Sequence, residues 1–169
     1  MIETSRLILR PLTEVDLPAI AAALANFNVS RNTGRIPHPY TLADAEDYFA
    51  WLKTLAPGSL SLSIQEKAGR IAIGGIGYQL VGAETIPEFG YWLAEDMWGK
   101  GYGFEAAAAM THHALTIGGH GKLKASYHIG NEASRRILAR LGFRELGLTQ
   151  TYSQARGGKV DTMMTELAA

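Results

Sequence analysis

The chain has 169 residues, with 16 lysines and arginines against 16 aspartates and glutamates, and it contains no cysteine. A formal charge of zero excludes the broad positive field that draws a protein onto nucleic acid or an anionic membrane surface, so neither partner is expected. The lack of thiols excludes disulfides, thiolate metal sites and a covalent cysteine intermediate, and the length suits one domain over residues 1–169 with a core that needs no such staple.

Glu3, Arg6 and Arg10 interrupt the apolar residues at the N-terminus, unlike the continuous core of a secretory signal, and no stretch reaches the length of a membrane helix. A cytoplasmic location is expected. Leu7-Ile8-Leu9 reads as a first strand stopped at Pro11, which lacks the ladder donor. Thr13 caps a helix whose apolar face carries Ile20, Leu24 and Phe27. Residues 28–40 lack periodicity and hold Arg31, Asn32, Gly34, Arg35, Pro37 and Pro39, which predicts a long loop of the kind that carries function. Thr41 starts another helix, with Ala45, Tyr48, Leu52 and Leu55 inward, ended by Pro57-Gly58.

Leu60, Leu62 and Ile64 alternate with serines as a half-buried strand does. After a turn at 67–69, residues 71–80 return as a second strand, whose glycines at 74, 75 and 77 predict a bend or a close backbone approach. Residues 85–93 form the next strand, and the neighbours should make an antiparallel meander.

Met97-Trp98-Gly99-Lys100-Gly101-Tyr102-Gly103 then leads into Phe104-Glu105-Ala106-Ala107-Ala108-Ala109-Met110, a strong helix former. Strand, glycine loop and helix in that order make an anion site, because glycines permit close approach and a helix start offers unpaired N–H groups. The P-loop is excluded, since Gly101 and not Ser or Thr follows Lys100, and Phe104 stands where the dinucleotide fingerprint needs a small residue. Phe104, Ala108, Thr111 and Leu115 are the predicted inward stripe of this helix. His112 and His113 are about 100° apart on it, too far to chelate one metal together, and no metal is expected. Gly118 to Gly121 break the chain, and Leu123, Ala125 and Tyr127 alternate into a strand. Asn131-Glu132-Ala133-Ser134, Leu138 and Leu141-Gly142-Phe143 read as a capped helix ending at a glycine. Residues 143–154 and 160–167 form a terminal hairpin.

The two motifs in this order, Trp98 to Gly103 and Asn131 to Phe143, resemble the GNAT superfamily of acyl-CoA-dependent N-acetyltransferases. The opening Ser5-Arg6-Leu7-Ile8-Leu9-Arg10-Pro11-Leu12, with Asp16, is similar to its RimJ/RimL branch, which acetylates protein N-termini and other amines. The resemblance implies an α/β (α+β) fold with a mixed, mostly antiparallel central sheet flanked by helices and splayed at an acetyl-CoA cleft. It implies acetyl-CoA as co-substrate, held by Trp98, Gly99, Lys100, Gly101, Tyr102 and Gly103 and by Asn131, Ser134 and Leu138. Trp98 replaces the Gln or Arg of the general family pattern, which leaves more of the phosphate contact to backbone N–H groups and Lys100.

The resemblance also implies that the strand before the loop splays at a bulge, where the backbone of Trp92, Leu93 and Ala94 offers an N–H to the thioester carbonyl. Ser134 shares a helix face with Asn131 and can protonate the departing sulfur or merely hold it, while Asn131 can equally be only an N-cap. Glu88 is the candidate base, directly or through water, and is otherwise an ordinary strand carboxylate. Arg31, Asn32 and Arg35 are candidate acceptor contacts. The expected acceptor is a primary amine, foremost a protein or peptide N-terminal α-amine, and the enzyme a monomer or homodimer. A module that binds acyl-CoA without transfer, or an acetyltransferase of small-molecule amines, is the alternative.

Overall fold

The computed structural model describes residues 1–69, 71–81 and 84–169. Its centre is an eight-stranded sheet in the order β1-β2-β3-β4-β5-β6-β8-β7. The strands are β1 (Ile2–Glu3), β2 (Leu7–Arg10), β3 (Leu60–Glu66), β4 (Ala72–Gln79), β5 (Glu88–Leu93), β6 (Lys122–His128), β7 (Arg144–Ser153) and β8 (Gly158–Ala168). All neighbours pair antiparallel except β5 and β6. The predicted meander is β3-β4-β5. The short β1 has no sequence signal, and β5 starts three residues later than expected because Pro87 has no ladder donor.

The close-approach reading of the β4 glycines holds, and an irregularity sits beside them: Ile64 pairs with Gly74 but Gln65 with Ala72, so Ile73 is an extra residue of β4 against β3, while β4 pairs with β5 without a break. A Cβ at Gly74 would run into the Trp92 carbonyl oxygen, and one at Gly77 into that of Leu60.

Helices α1 (Leu17–Ala25), α2 (Phe27–Ser30) and α3 (Leu42–Trp51) cover one face of the sheet. Leu17, Ile20, Leu24, Val29, Tyr40 and Ala45 form the core there. The predicted continuous helix through Phe27 is corrected. Asn26 takes an extended backbone and accepts the Asn28 N–H at 2.9 Å, which starts α2 as a separate turn and leaves Phe27 exposed. The expected loop at 28–40 therefore begins inside a short helix.

Helices α4 (Tyr102–Thr116) and α5 (Glu132–Arg140) cover the other face over a larger core. The buried side of α4 is Gly103, Ala106, Ala107, Met110, Thr111 and Ala114, about one position round from the predicted stripe, with Thr111 common to both. The reason is size: a helix lying flat on a sheet buries its small residues. Phe104 is pushed to the flank, where the Arg140 guanidinium of α5 lies 3.7 Å from its ring centroid. His113 Nδ1 is 3.3 Å from the Tyr78 hydroxyl, and burial pushes its pKa down. Among the described residues no helix is long and apolar enough to cross a membrane.

Candidate active site

The β5–β6 ladder holds only at Glu88 and Lys124, with the Lys124 N–H donating to the Pro87 carbonyl at 2.9 Å. Beyond this pair the two strands part around a cavity of about 740 Å³, walled by β5, β6, the glycine loop, the start of α5 and the loop after α2. No bulge makes the opening, contrary to expectation. The β4–β5 register is unbroken from Gly74–Leu93 to Gln79–Glu88, and the cleft arises because β6 diverges.

Ladder parity selects among the three backbone positions expected to face the cleft. The Ala94 N–H donates to the Ile73 carbonyl at 2.9 Å. Bonded pairs alternate in an antiparallel ladder, so Trp92 and Ala94 turn their N–H groups to β4 and Leu93 turns its own toward the open side. The Trp98 indole N–H donates to the Leu93 carbonyl at 2.9 Å, so the residue that departs from the family pattern ties the glycine loop to the cleft strand.

The loop itself is set by Gly99 and Gly101, at φ of 73° and 81°. Gly101 is the N-cap of α4 and gives no side-chain cap, and the first ladder bond runs from the Glu105 N–H to the Gly101 carbonyl at 3.1 Å. The N–H groups of Tyr102, Gly103 and Phe104 therefore have no intrahelical partner, and space is open over Gly99. These orphan donors at a helix start fit a pyrophosphate. The Lys100 side chain does not line the cavity; its ammonium lies 3.5 Å from the Met97 sulfur.

A latch from the N-terminus holds this loop, and nothing local in the sequence announced it. The Glu105 carboxylate accepts from Thr4 Oγ1 at 2.6 Å, Ser5 Oγ at 3.0 Å, Arg6 N–H at 2.8 Å and Arg6 Nε at 2.7 Å. Arg6 Nη1 then donates to the Lys100 carbonyl at 2.9 Å. Burial raises the carboxyl's pKa, but these donors outweigh it and hold Glu105 at about 2.

Replacing Gly101 with valine should lower CoA affinity at least tenfold, about 1.4 kcal/mol, by isothermal titration. A β-branched residue is strained at this φ, and its Cβ would stand 3.3 Å from the Arg6 guanidinium, so the loop must shift. Unchanged affinity in a folded variant refutes the loop's part in binding.

At the start of α5, Asn131 Oδ1 accepts the Ser134 N–H at 3.1 Å, so Asn131 is an N-cap and also lines the cavity. Ser134 lines it too, and the Tyr91 hydroxyl donates to Ser134 Oγ at 3.3 Å. Burial raises the Tyr91 phenol's pKa, only partly offset by the Ser134 bond, so it stays protonated. Leu138 belongs to the core and meets the cavity only as wall.

The other half of the cavity takes its polar groups from the loop after α2 and from the face of β5 and β6 that carries Glu88, Trp92, Ser126 and His128. Arg35 reaches Glu88 Oε2 at 2.8 Å and Gln79 Oε1 at 3.0 Å. The candidate base and one candidate anchor thus form an ion pair at the closed end of the splay. Asn32 lines the cavity and donates to the Asn28 carbonyl at 2.9 Å. Arg31 does not line it; its guanidinium lies 5.8 Å from the Phe27 ring centroid. Among the described residues no cluster of side chains could hold a metal ion.

Residues 6–144 match the family model described as an acetyltransferase (GNAT) domain. The uncharacterized N-acetyltransferase YoaA of Bacillus subtilis is 27% identical over 168 residues, covering 96% of this chain and 93% of that protein. Mycobacterium smegmatis RimJ in complex with CoA-disulfide superposes with a TM-score of 0.83 at 22% identity, over 96% of this chain and 82% of its own. Spermidine N-acetyltransferase from Vibrio cholerae in complex with CoA and spermine gives 0.81 at 19%, over 98% and 96%.

Proposed function

The chain belongs to the GNAT acetyltransferase family and is an N-acetyltransferase that uses acetyl-CoA, and from that premise we propose that it acetylates the α-amine of a protein or peptide N-terminus, directly and in the cytoplasm, with residues 1–169 as one catalytic domain. The Ser5 to Leu12 motif with Asp16, and Trp98 before the glycine loop, support a RimJ/RimL-like assignment. Charge in the acceptor half of the cleft carries the choice of substrate. Glu88 is the one carboxylate among the described residues lining the cavity, and Arg35 already neutralises it. A polyamine would need several unpaired carboxylates there. A peptide end needs one amine and donors for its carbonyls, which the free N–H groups of the Arg35 fork supply.

Each residue then has a part. The backbone at Tyr102 to Phe104 holds the pyrophosphate, beside Gly99 and Gly101, and the Leu93 N–H donates to the acetyl carbonyl as charge develops on its oxygen. Donors of that kind are worth about 3 to 4 kcal/mol. Ser134 hands a proton to the leaving sulfur, with Tyr91 behind it. Glu88 and Arg35 orient the acceptor at the closed end of the cleft. Five residues of strand, roughly 16 Å, separate Glu88 from Leu93, which sets its carboxylate beyond the reach of the attacking amine, directly or through one water.

The amine's own pKa sharpens the reading. At pH 7, freeing a lysine ammonium costs about 4.6 kcal/mol and freeing an α-ammonium about 1.1 kcal/mol. Peptides with a free α-amine and no lysine should therefore outcompete N-terminally blocked lysine peptides by at least about tenfold in product formation, read by mass spectrometry. Arg35→Ala should raise the KM for the α-amine peptide about tenfold and leave that for acetyl-CoA unchanged. Faster acetylation of the lysine peptides refutes the α-amine preference. Acetyl-CoA binding without turnover on any amine would point to a sensor instead.

A further inference from the structure

His128 ends β6 on the acceptor face of the cavity. Its Nδ1 lies 3.2 Å from the backbone oxygen of Arg31. A carbonyl oxygen can only accept, so Nδ1 must carry the hydrogen. The same oxygen accepts from Arg156 Nε at 2.9 Å, which sets a guanidinium near the ring. Burial of His128, 5% exposed, disfavours imidazolium; the Arg31 carbonyl opposes that and the Arg156 charge adds to it, and the balance holds the pKa below its ordinary value. At neutral pH the ring is a neutral imidazole with its lone pair on Nε2. Among the described residues Nε2 has no partner, and no buried side-chain nitrogen or oxygen there lacks one, so Nε2 is not enclosed and opens onto the cavity that His128 lines.

Strand register locates that lone pair. β5 and β6 run parallel from the Glu88–Lys124 pair, so four residues on, Trp92 stands across the splay from His128 and both point to the same face. The next residue of β5 is Leu93, whose N–H turns into the splay. His128 is therefore level with the site of transfer, whereas Glu88 is at the closed end and engaged by Arg35.

We infer that His128, through Nε2, is the proton acceptor for the incoming amine, an assignment that rests on the reading of the chain as an amine acetyltransferase. The substrate ammonium gives one proton to Nε2, which passes it to solvent. The freed nitrogen attacks the acetyl carbonyl carbon; a C–N bond forms as the C–S bond breaks. The nitrogen's surplus proton leaves to Nε2, and the sulfur takes a proton from Ser134. The charged groups set around the ring are Arg31 at the end of α2, Arg156 in the β7–β8 turn, Lys124 on the same face of β6, and the Arg35–Glu88 pair across the cavity. Asp161 of β8 turns to the opposite face, because Thr162 is the register partner of His128.

The test is His128→Asn, whose amide can still donate to the Arg31 carbonyl but offers nothing at the Nε2 position. With saturating acetyl-CoA and a lysine-free peptide bearing a free α-amine, kcat/KM at pH 7 should fall about a hundredfold with the KM for acetyl-CoA unchanged. The wild-type profile should carry, besides the titration of the substrate amine at about 7.8, an acidic limb set by a group titrating below about 6.5, and this second limb should be absent from the variant, whose profile follows the amine alone. Imidazole nitrogen NMR of the wild-type protein should show the ring at pH 7 neutral and protonated on Nδ1. A loss of less than about tenfold with the acidic limb intact overturns the assignment, and so does an Nε2-protonated ring. Should the wild type acetylate only lysine side chains or polyamines, the α-amine reading fails, and the same comparison on that amine still decides the role of His128.

Discussion

Asp16→Ala will cost about 3 to 5 kcal/mol of folding stability, the largest single-residue loss expected outside the apolar core. The Asp16 side chain is 0% exposed and its partner Arg10 is 18% exposed. Arg10 reaches both carboxylate oxygens, at 2.8 and 2.7 Å, and Thr13 adds its N–H at 3.0 Å and its hydroxyl at 2.7 Å. The fifth donor is the Ala72 N–H at 3.1 Å, which links the start of α1 to β4. Alanine leaves a mostly buried guanidinium without its carboxylate, holding only the Gln65 and Pro11 oxygens, and a buried backbone N–H unpaired, and for a chain of this size the melting temperature should drop by roughly 8 to 15 °C. The effect has a pH signature. Burial opposes ionisation of Asp16, but the Arg10 and Thr13 hydrogen bonds outweigh it and hold the carboxyl at about 2 against an ordinary 3.8. A lowered folded pKa stabilises above the unfolded value and loses that stability as pH falls toward the folded one, so about 2 kcal/mol of the difference between wild type and variant should fade between pH 4 and pH 2. Denaturant unfolding across that range measures it, and a loss under about 1 kcal/mol at pH 7 refutes the account.

What the sequence made legible was whatever short-range periodicity or a turn residue encodes. Leu60, Leu62 and Ile64 alternate and are β3; Gly99 to Gly101 are the loop before α4, which starts two residues earlier than the run from Phe104 suggests; Asn131 caps α5 as its neighbours suggested. Choices between adjacent residues were not legible, because they depend on partners far away in the chain. Arg31 and Arg35 look alike in the sequence, and only the α2 turn directs one against Phe27 and the other to Glu88. Trp92, Leu93 and Ala94 are equally plausible donors until the pairing of Ala94 with Ile73 fixes their parity. Glu105 reads as an ordinary first-turn carboxylate, yet its four donors come from residues about a hundred positions earlier. His128 carries no motif, and its tautomer is imposed by a carbonyl of α2's far end.

Ser134→Ala should lower kcat about tenfold to a hundredfold and raise the KM for acetyl-CoA much less. The hydroxyl lines the cleft at the first turn of α5, where the Asn131 cap fixes the backbone and the Tyr91 hydroxyl donates to its oxygen at 3.3 Å. With that lone pair occupied, the serine hydrogen is free to point into the cavity, and the Tyr91 hydroxyl behind it can restore the proton. Thiol chemistry limits the size of the effect. A thiol with a pKa near 8.5 makes a thiolate only about 2 kcal/mol uphill at pH 7, so an acid here assists and is not indispensable. The same arithmetic gives a control that a purely structural serine would not pass. Above pH 8.5 or so the thiolate leaves without help, and the deficit of the variant should shrink as pH rises through that value. Tyr91→Phe should show a smaller deficit with the same pH trend, since Ser134 then draws its replacement proton from solvent. Steady-state kinetics from pH 6.5 to 9.5 decide the matter: a change confined to KM, or a kcat deficit independent of pH, would remove Ser134 from proton transfer and leave it as a contact that holds the sulfur.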